Sequence, residues 1–517
     1  MNRSLSHAWR SVALASLLVA SGLNAHADER EDLETLKQTT LNLIQLLVQQ
    51  GVLPAEKADL IVKEAQSKAR STVAEARKTE KNTVRVQYVP ESVRKQITEQ
   101  VREEVVAQAK AERWGDVNAV PEWVDRFKLE GDLRLGYQRD MFANDNAPEY
   151  VFNSFGQAIG NTTEDRSRTR VRARLGISAR VTPDITAGLR LTTGSSSDPV
   201  STNQTMGNYG SKYNFALDRA FLRLNSADTA PWLTVNAGRI ANPFFGTDLL
   251  WDDDLAFDGV ALQFADSTAA SQTWRPFGTV GVFPVEDIQR STANRAKSKW
   301  MVGAQAGVEW VPSNDLRAKV GLGVYDFRHI AGEPSPIGTS LTYDTAPAFR
   351  QKGNTLYNLQ ADGSATVWGL ASDYQVLNLT GTLDYNLYNP VHLILSADYV
   401  RNLRYDGARL AARAPASWQS GDSGYMLRAA VGMPQMLLKG DWQLSLAYRH
   451  LEADAVVDAF TDSDFHLGGT NNKGFIVGAQ YGLSRNTWLS ARWLSSREIS
   501  GPPLSINTMQ VYFHAKF

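Results

Sequence analysis

From Phe127 onward the chain alternates. Phe127, Leu129, Leu133, Leu135 and Tyr137 are apolar, and Lys128, Glu130, Asp132 and Arg134 stand between them. A period of two sends successive side chains to opposite faces, so this stretch reads as a strand with one greasy and one charged side. The pattern recurs. Val171, Ala173, Leu175, Ile177, Ala179 and Val181 form one apolar face, and Ile185, Ala187, Leu189 and Leu191 the next. Trp300, Val302, Ala304, Ala306, Val308 and Trp310 carry tryptophan at both ends. The chain closes in the same way, with Met509, Val511, Phe513, Ala515 and Phe517 on one parity. There are about sixteen such segments, each near the length a tilted membrane strand needs. Their polar face carries Arg, Asp, Gln, Ser and Gly, where a soluble sandwich would turn one face of every strand to a dry core. The apolar face then meets lipid and the polar face lines water.

The connections agree. Tight turns are expected near 182–184, 312–315, 389–390, 439–441 and 484–486. Longer links fall near 138–165, 193–212, 241–256, 284–299, 328–371, 402–422, 452–472 and 495–506. Short and long links alternate, as in outer-membrane barrels. The expected fold is all-β over 121–517, a closed antiparallel transmembrane barrel, because an open sheet edge is too costly in lipid.

The first part of the chain has another period. Arg3 and Arg10, an apolar run over 11–23, and Ala25-His26-Ala27 read as a signal peptide over 1–27. Leu33, Leu36, Leu43 and Leu47 then repeat at helical spacing, Gly51 stops that helix, and Pro54-Ala55-Glu56 starts another. The region 28–120 is expected to be helical and periplasmic. A solvated hairpin, a self-associating stalk and a periplasmic contact all fit it.

Composition narrows the classes. With 54 Lys+Arg against 55 Asp+Glu, no bulk charge favours nucleic acid. Cysteine is absent, which removes disulfides, thiolate catalysis and Cys-ligated metals. The reading calls for no cofactor and no metal.

One strand carries the candidate chemistry. Arg166, Arg168, Arg170, Arg172 and Arg174 share one parity, opposite Val171, Ala173 and Leu175, so they line the lumen, with Arg166 and Arg168 expected at the loop boundary. The link "RIANPFFGTDLLWDDDLAFDG" concentrates Asp248, Asp252, Asp253, Asp254 and Asp258. An acidic loop folded against a basic wall narrows the channel and sets a transverse field. A plain solvated strand face is the bland reading of the arginines, and calcium binding an alternative for the aspartates. Catalysis has little to rest on. Asp464-Phe465-His466 is an Asp–His pair on an outer loop, where ordinary loop surface is expected and a surface hydrolase is the remote alternative.

The stretches "GRIANPF" and "WDDDLAFDGV", Gly238 to Val260, resemble the Gram-negative "putative porin" family, as do the leader, "LLVQQGVLPAEKADLIVKEA" and the terminal Phe517. The resemblance implies an outer-membrane porin passing small hydrophilic solutes passively, with its amino-terminal region in the periplasm. General porins carry a Gly-Arg after the fifth strand and an inward third loop. Gly238-Arg239 holds that place here, which adds Arg239 to the expected constriction. General porins are usually homotrimers and lack the helical prefix. A second reading makes the barrel an anchor whose prefix contacts peptidoglycan or a periplasmic partner. Similarity to other outer-membrane barrels makes Phe517, with Phe513 and Val511, the mark read by the barrel-assembly machinery.

Overall fold

The computed structural model describes residues 124–517 apart from 266–271, 337–341, 361–364 and 414–420, together with Lys63. The chain divides after Pro121, and the second unit is Glu122–Phe517. The expected leader and helical prefix lie outside the described residues, save Lys63, which is helical.

Sixteen long strands follow one another. They are β1 Phe127–Phe142, β2 Arg166–Arg180, β3 Ile185–Thr192, β4 Ala216–Leu224, β5 Leu233–Ala241 and β6 Ala256–Ala265. Next come β7 Trp274–Glu286, β8 Lys299–Ser313, β9 Leu316–Arg328, β10 Tyr374–Tyr388 and β11 Val391–Asn402. The last are β12 Ser423–Gly432, β13 Trp442–Leu451, β14 Asn472–Ser484, β15 Thr487–Glu498 and β16 Ser505–Lys516. A two-residue segment, Gln204–Thr205, hangs on β2 and completes the 17-stranded sheet. Each long strand pairs antiparallel with the next, and β16 pairs back onto β1 from Asp132↔Lys516 to Phe142↔Ile506. The sheet is a closed 16-strand barrel, as the cost of an unpaired edge in lipid requires.

The two parities part as expected. Leu129 is 62% exposed, and Leu175, Ile177, Leu189, Leu322, Leu446, Val477 and Trp493 also face out. On β16, Val511 and Phe513 face out while Gln510 and Tyr512 are buried. Trp274 stacks on Trp310 with ring centroids 5.7 Å apart, joining the ends of β7 and β8 on the short-turn side. Such aromatics suit a membrane interface.

Connections alternate between tight turns, as at 314–315, 389–390 and 485–486, and long loops. The loops that matter here are loop 2 (193–215), loop 3 (242–255), loop 5 (329–373) and loop 7 (452–471). The boundary that bears on the arginine row is the end of β1, which runs past the link start expected near 138. β1 continues to Phe142 and β2 begins at Arg166, so Arg166 and Arg168 belong to the strand. The register explains the extension: it sets Asp140 opposite Arg166 and Gln138 opposite Arg168, and the side chains couple diagonally, Arg168 to Asp140 and Arg170 to Gln138.

The apolar core of the barrel is inside the lumen and is built by a loop. Phe244, Leu249, Leu250, Trp251 and Leu255 of loop 3 pack with Phe283, Met301, Tyr325, Phe327, Tyr374 and Val376 of the wall. Val456, Val457 and Phe460 of loop 7 join them. Trp251 is 2% exposed, with ring centroids 5.1 Å from Tyr325 and 5.1 Å from Phe257. Gly303 makes room for this packing, since a Cβ there would stand 2.6 Å from the Phe244 ring.

Candidate channel constriction

Loop 3 crosses the lumen because polar contacts fix it as well as apolar ones. Gln305 grips the Phe245 peptide at both ends, accepting from its N–H at 2.8 Å and donating to its carbonyl at 2.6 Å. Thr247 Oγ1 donates to Asp398 on β11 at 2.6 Å. Beyond these pins the loop carries its aspartates towards β2.

The arginine row stands on the inward parity of β2, and each member below Arg166 has a partner. Arg168 meets Asp140 at 2.8 Å. Arg170 donates to Gln138 at 2.7 Å and lies 3.8 Å from Asp464. Arg172 and Arg174 share two carboxylates. Their distances to Asp132 are 2.9 and 2.6 Å, and to Asp254 they are 3.4 and 3.2 Å. Arg166 is exposed at the long-loop end, beside a vestibule of about 500 Å³ whose charged lining is Arg168, Arg170, Arg350 and Lys352 with Asp140, Asp198 and Asp464.

The loop 3 aspartates divide by role. Asp254 joins three elements, since its second oxygen accepts from the Thr202 N–H at 3.1 Å and hydroxyl at 2.7 Å in loop 2. Burial pushes its carboxyl up, but Arg172 and Arg174 outweigh burial and hold it below the ordinary value. Asp252 turns the other way and accepts from the Ser463 N–H of loop 7 at 3.0 Å. Burial, with Asp462 and Asp254 nearby, raises its pKa well above the ordinary value. Asp248 lends its carbonyl to Arg449 and Thr461. Asp253 alone of the DDD run is exposed, and the charges acting on it are Asp254 and Asp462 first, then Arg492 of β15 and Arg428 of β12. The oxygens of Asp252 and Asp254 thus face N–H, O–H and guanidinium donors. Arg239 and Asp258 stand apart from the row. They pair with each other at 3.1 Å and line a separate cavity of about 280 Å³ under loops 2, 5 and 7.

Sequence reasoning missed two contributors. Asp132 and Asp140 of β1 are the nearest acids to the row, and only the register of β1 on β2 places them there. Loop 7 is the other. Asp464 lies 3.5 Å from Arg492, while buried Arg449 holds Asp462 at 3.4 Å and donates to Thr461 at 2.8 Å. His466 corrects the expected loop surface: it is fully buried, with Nδ1 2.9 Å from Ser496 Oγ and Nε2 3.4 Å from Glu498. Burial, then Lys352, lowers its pKa to about 4, so the ring is neutral. Asp464 and His466 answer to different partners and form no dyad.

Structural likeness is broad and distant. OprB of Pseudomonas putida, determined at high pH, aligns over 77% of this chain and 96% of its own at 12% identity, with a TM-score of 0.46. The outer-membrane channel DcaP of Acinetobacter baumannii aligns over 76% and 97% at 10% identity, with a TM-score of 0.40. The anion-selective porin from Comamonas acidovorans aligns over 76% and 99% at 12% identity, with a TM-score of 0.40. No curated protein matches the chain. The sequence pattern of the family described as "Putative porin" matches residues 37–517, and the chain therefore belongs to that family of outer-membrane channels.

Proposed function

We propose that this porin passes small hydrophilic solutes by passive diffusion and that loop 3, set against the arginine wall, filters them by charge. The observation carrying this is Asp254, which ties loop 3 to Arg172 and Arg174 across the lumen. Asp253 stays exposed beside it. Fixed charges of opposite sign on facing walls order a polar solute in a narrow, low-dielectric passage. Arg166, without an acid partner among the described residues, gives the long-loop mouth a cationic entry. Homotrimer assembly and delivery through Phe517 belong to the same reading. Single-channel recordings of Arg170→Ala and Arg172→Ala test the filter. Conductance and ion selectivity should both change, and parental values in both variants would remove it.

A further inference from the structure

A second concentration of cation lies on the short-turn side of loop 3, away from the Asp254 contacts. β4 alternates there: Leu222 and Leu224 face out, while Arg219, Phe221 and Arg223 face in. With Arg190, Asn236 and the start of loop 3 at Pro243 they enclose about 310 Å³. Phe221 lies against the wall only because position 188 is glycine, where a Cβ would stand 2.4 Å from the ring. Arg223 is set by the Asn236 side chain at 3.1 Å, with its guanidinium 5.8 Å from the Phe221 centroid.

The charges there do not cancel. Lys128, Arg190, Arg219 and Arg223 line the cavity against one acid, Glu130, which lies 3.6 Å from Lys128. Arg190 is taken by Asp218. Arg219 has no ion pair or hydrogen bond among the described residues, and its Nε is buried without a partner. Arg219 is half-buried, and an anion on its fork would supply the partner that its buried Nε lacks. Its fork suits a carboxylate, and Phe221, Ile240 and Pro243 offer apolar surface beside it. Inorganic phosphate would satisfy the charge and leave that surface wet.

We propose that this cavity is a binding station for small organic carboxylates, with the carboxylate on Arg219 and an apolar or aromatic body on Phe221. It deepens the porin reading, on which it rests for its route, by naming a solute class.

The test uses the full-length folded barrel in detergent, with benzoate and inorganic phosphate as calorimetric probes. Benzoate should bind more tightly than phosphate. Arg219→Gln should weaken benzoate about tenfold, the scale of one charge-assisted contact. Phe221→Leu should weaken benzoate about threefold and leave phosphate unchanged, a loss on the scale of one aromatic contact. Heat-modifiable mobility on gels certifies each variant as folded. Absent benzoate binding by the folded parent, parental affinity in Arg219→Gln, or phosphate binding as tight as benzoate would each overturn the proposal. Calorimetry separates the two readings: binding without conductance sinks the channel, and conductance without binding sinks only this site.

Discussion

On one side of the lumen, loop 3 lays Phe244 and Trp251 against Tyr325, Phe283 and Phe327; on the other it offers Asp254 to Arg172 and Arg174. The first contact is dry, aromatic and non-directional, and its stabilisation grows with the apolar area removed from water. The second is ionic, and a buried ion pair returns little net stability once desolvation is counted. The aromatic half of the wall, β6 to β10, should therefore decide where the loop sits. The charged half, β15 through β2, should decide what passes it. Separate substitutions on the two halves ought to separate position from selectivity.

The largest effect is expected from Trp251→Ala. Emptying so buried an aromatic site costs about 3–5 kcal/mol, borne by loop docking because the ring belongs to the loop. Single-channel conductance should rise several-fold, and loop 3 should become open to protease. A parental conductance would mean that the aromatic half does not hold the loop.

Asp254→Asn should act the other way round. It keeps the side chain's shape and its carbonyl contact with Thr202, and it removes one of the two carboxylates shared by Arg172 and Arg174. Reversal potentials in asymmetric potassium chloride should move towards anions, while protease resistance of loop 3 stays parental. Loss of that resistance would break the division of labour just drawn.

Loop 7 touches both halves, and its carboxylates titrate apart. Burial raises Asp458 to about 7 and Asp454 to about 6, from an ordinary value of 3.8. Burial also pushes on Asp464, but Arg492 and Arg170 outweigh it and hold that group low. A raised carboxylate favours the folded loop most when protonated, so its contribution is complete below 3.8 and lost as pH climbs through 6 to 7. Asp464 works oppositely, and its contribution fails only at pH values below that window. Docking of loop 7 should weaken between about pH 5 and about pH 8. Amide exchange in loop 7, corrected for intrinsic rate, should show more protection at the lower pH, and Asp458→Asn should flatten the difference. Equal protection in the parent would count against it.

What the chain's pattern revealed, and what it hid, follows the same divide. Parity is local, so the outward Leu175 and Ile177 and the inward Arg170 to Arg174 were legible from alternation alone. Register is not local. The pairing of Asp132 with Arg174 crosses the link 143–165, whose length does not set which residues meet. Loop paths are less legible still. Asp464 and His466 looked like surface because polar residues between strands usually are, yet Asp464 is half-buried and His466 fully buried against Arg492, Ser496 and Glu498 on β15, across the whole of β14. Loop 3 announced its acids but not their roles, since Asp252, Asp253 and Asp254 point to three different surroundings within one turn of chain.

The smallest effect on the folded barrel is expected at the seam, which runs through the charged half. β1 brings Asp132 and β16 brings Gln510 and Tyr512, and the two strands close through backbone bonds that end at Gly131 and Phe517, 2.8 and 3.0 Å long. Phe517 is 68% exposed, and its ring, which lies over Gly131, has no part in those bonds. Phe517→Ala should therefore cost the refolded barrel under about 1 kcal/mol and leave Asp254 and the arginines as they are. If the ring is also an address for the assembly machinery, the same variant should reach the membrane poorly in cells while refolding normally in detergent. Normal insertion in cells would reduce Phe517 to the last residue of a closed sheet. Poor refolding in detergent would instead show that the seam supports the charged half more than its backbone bonds account for.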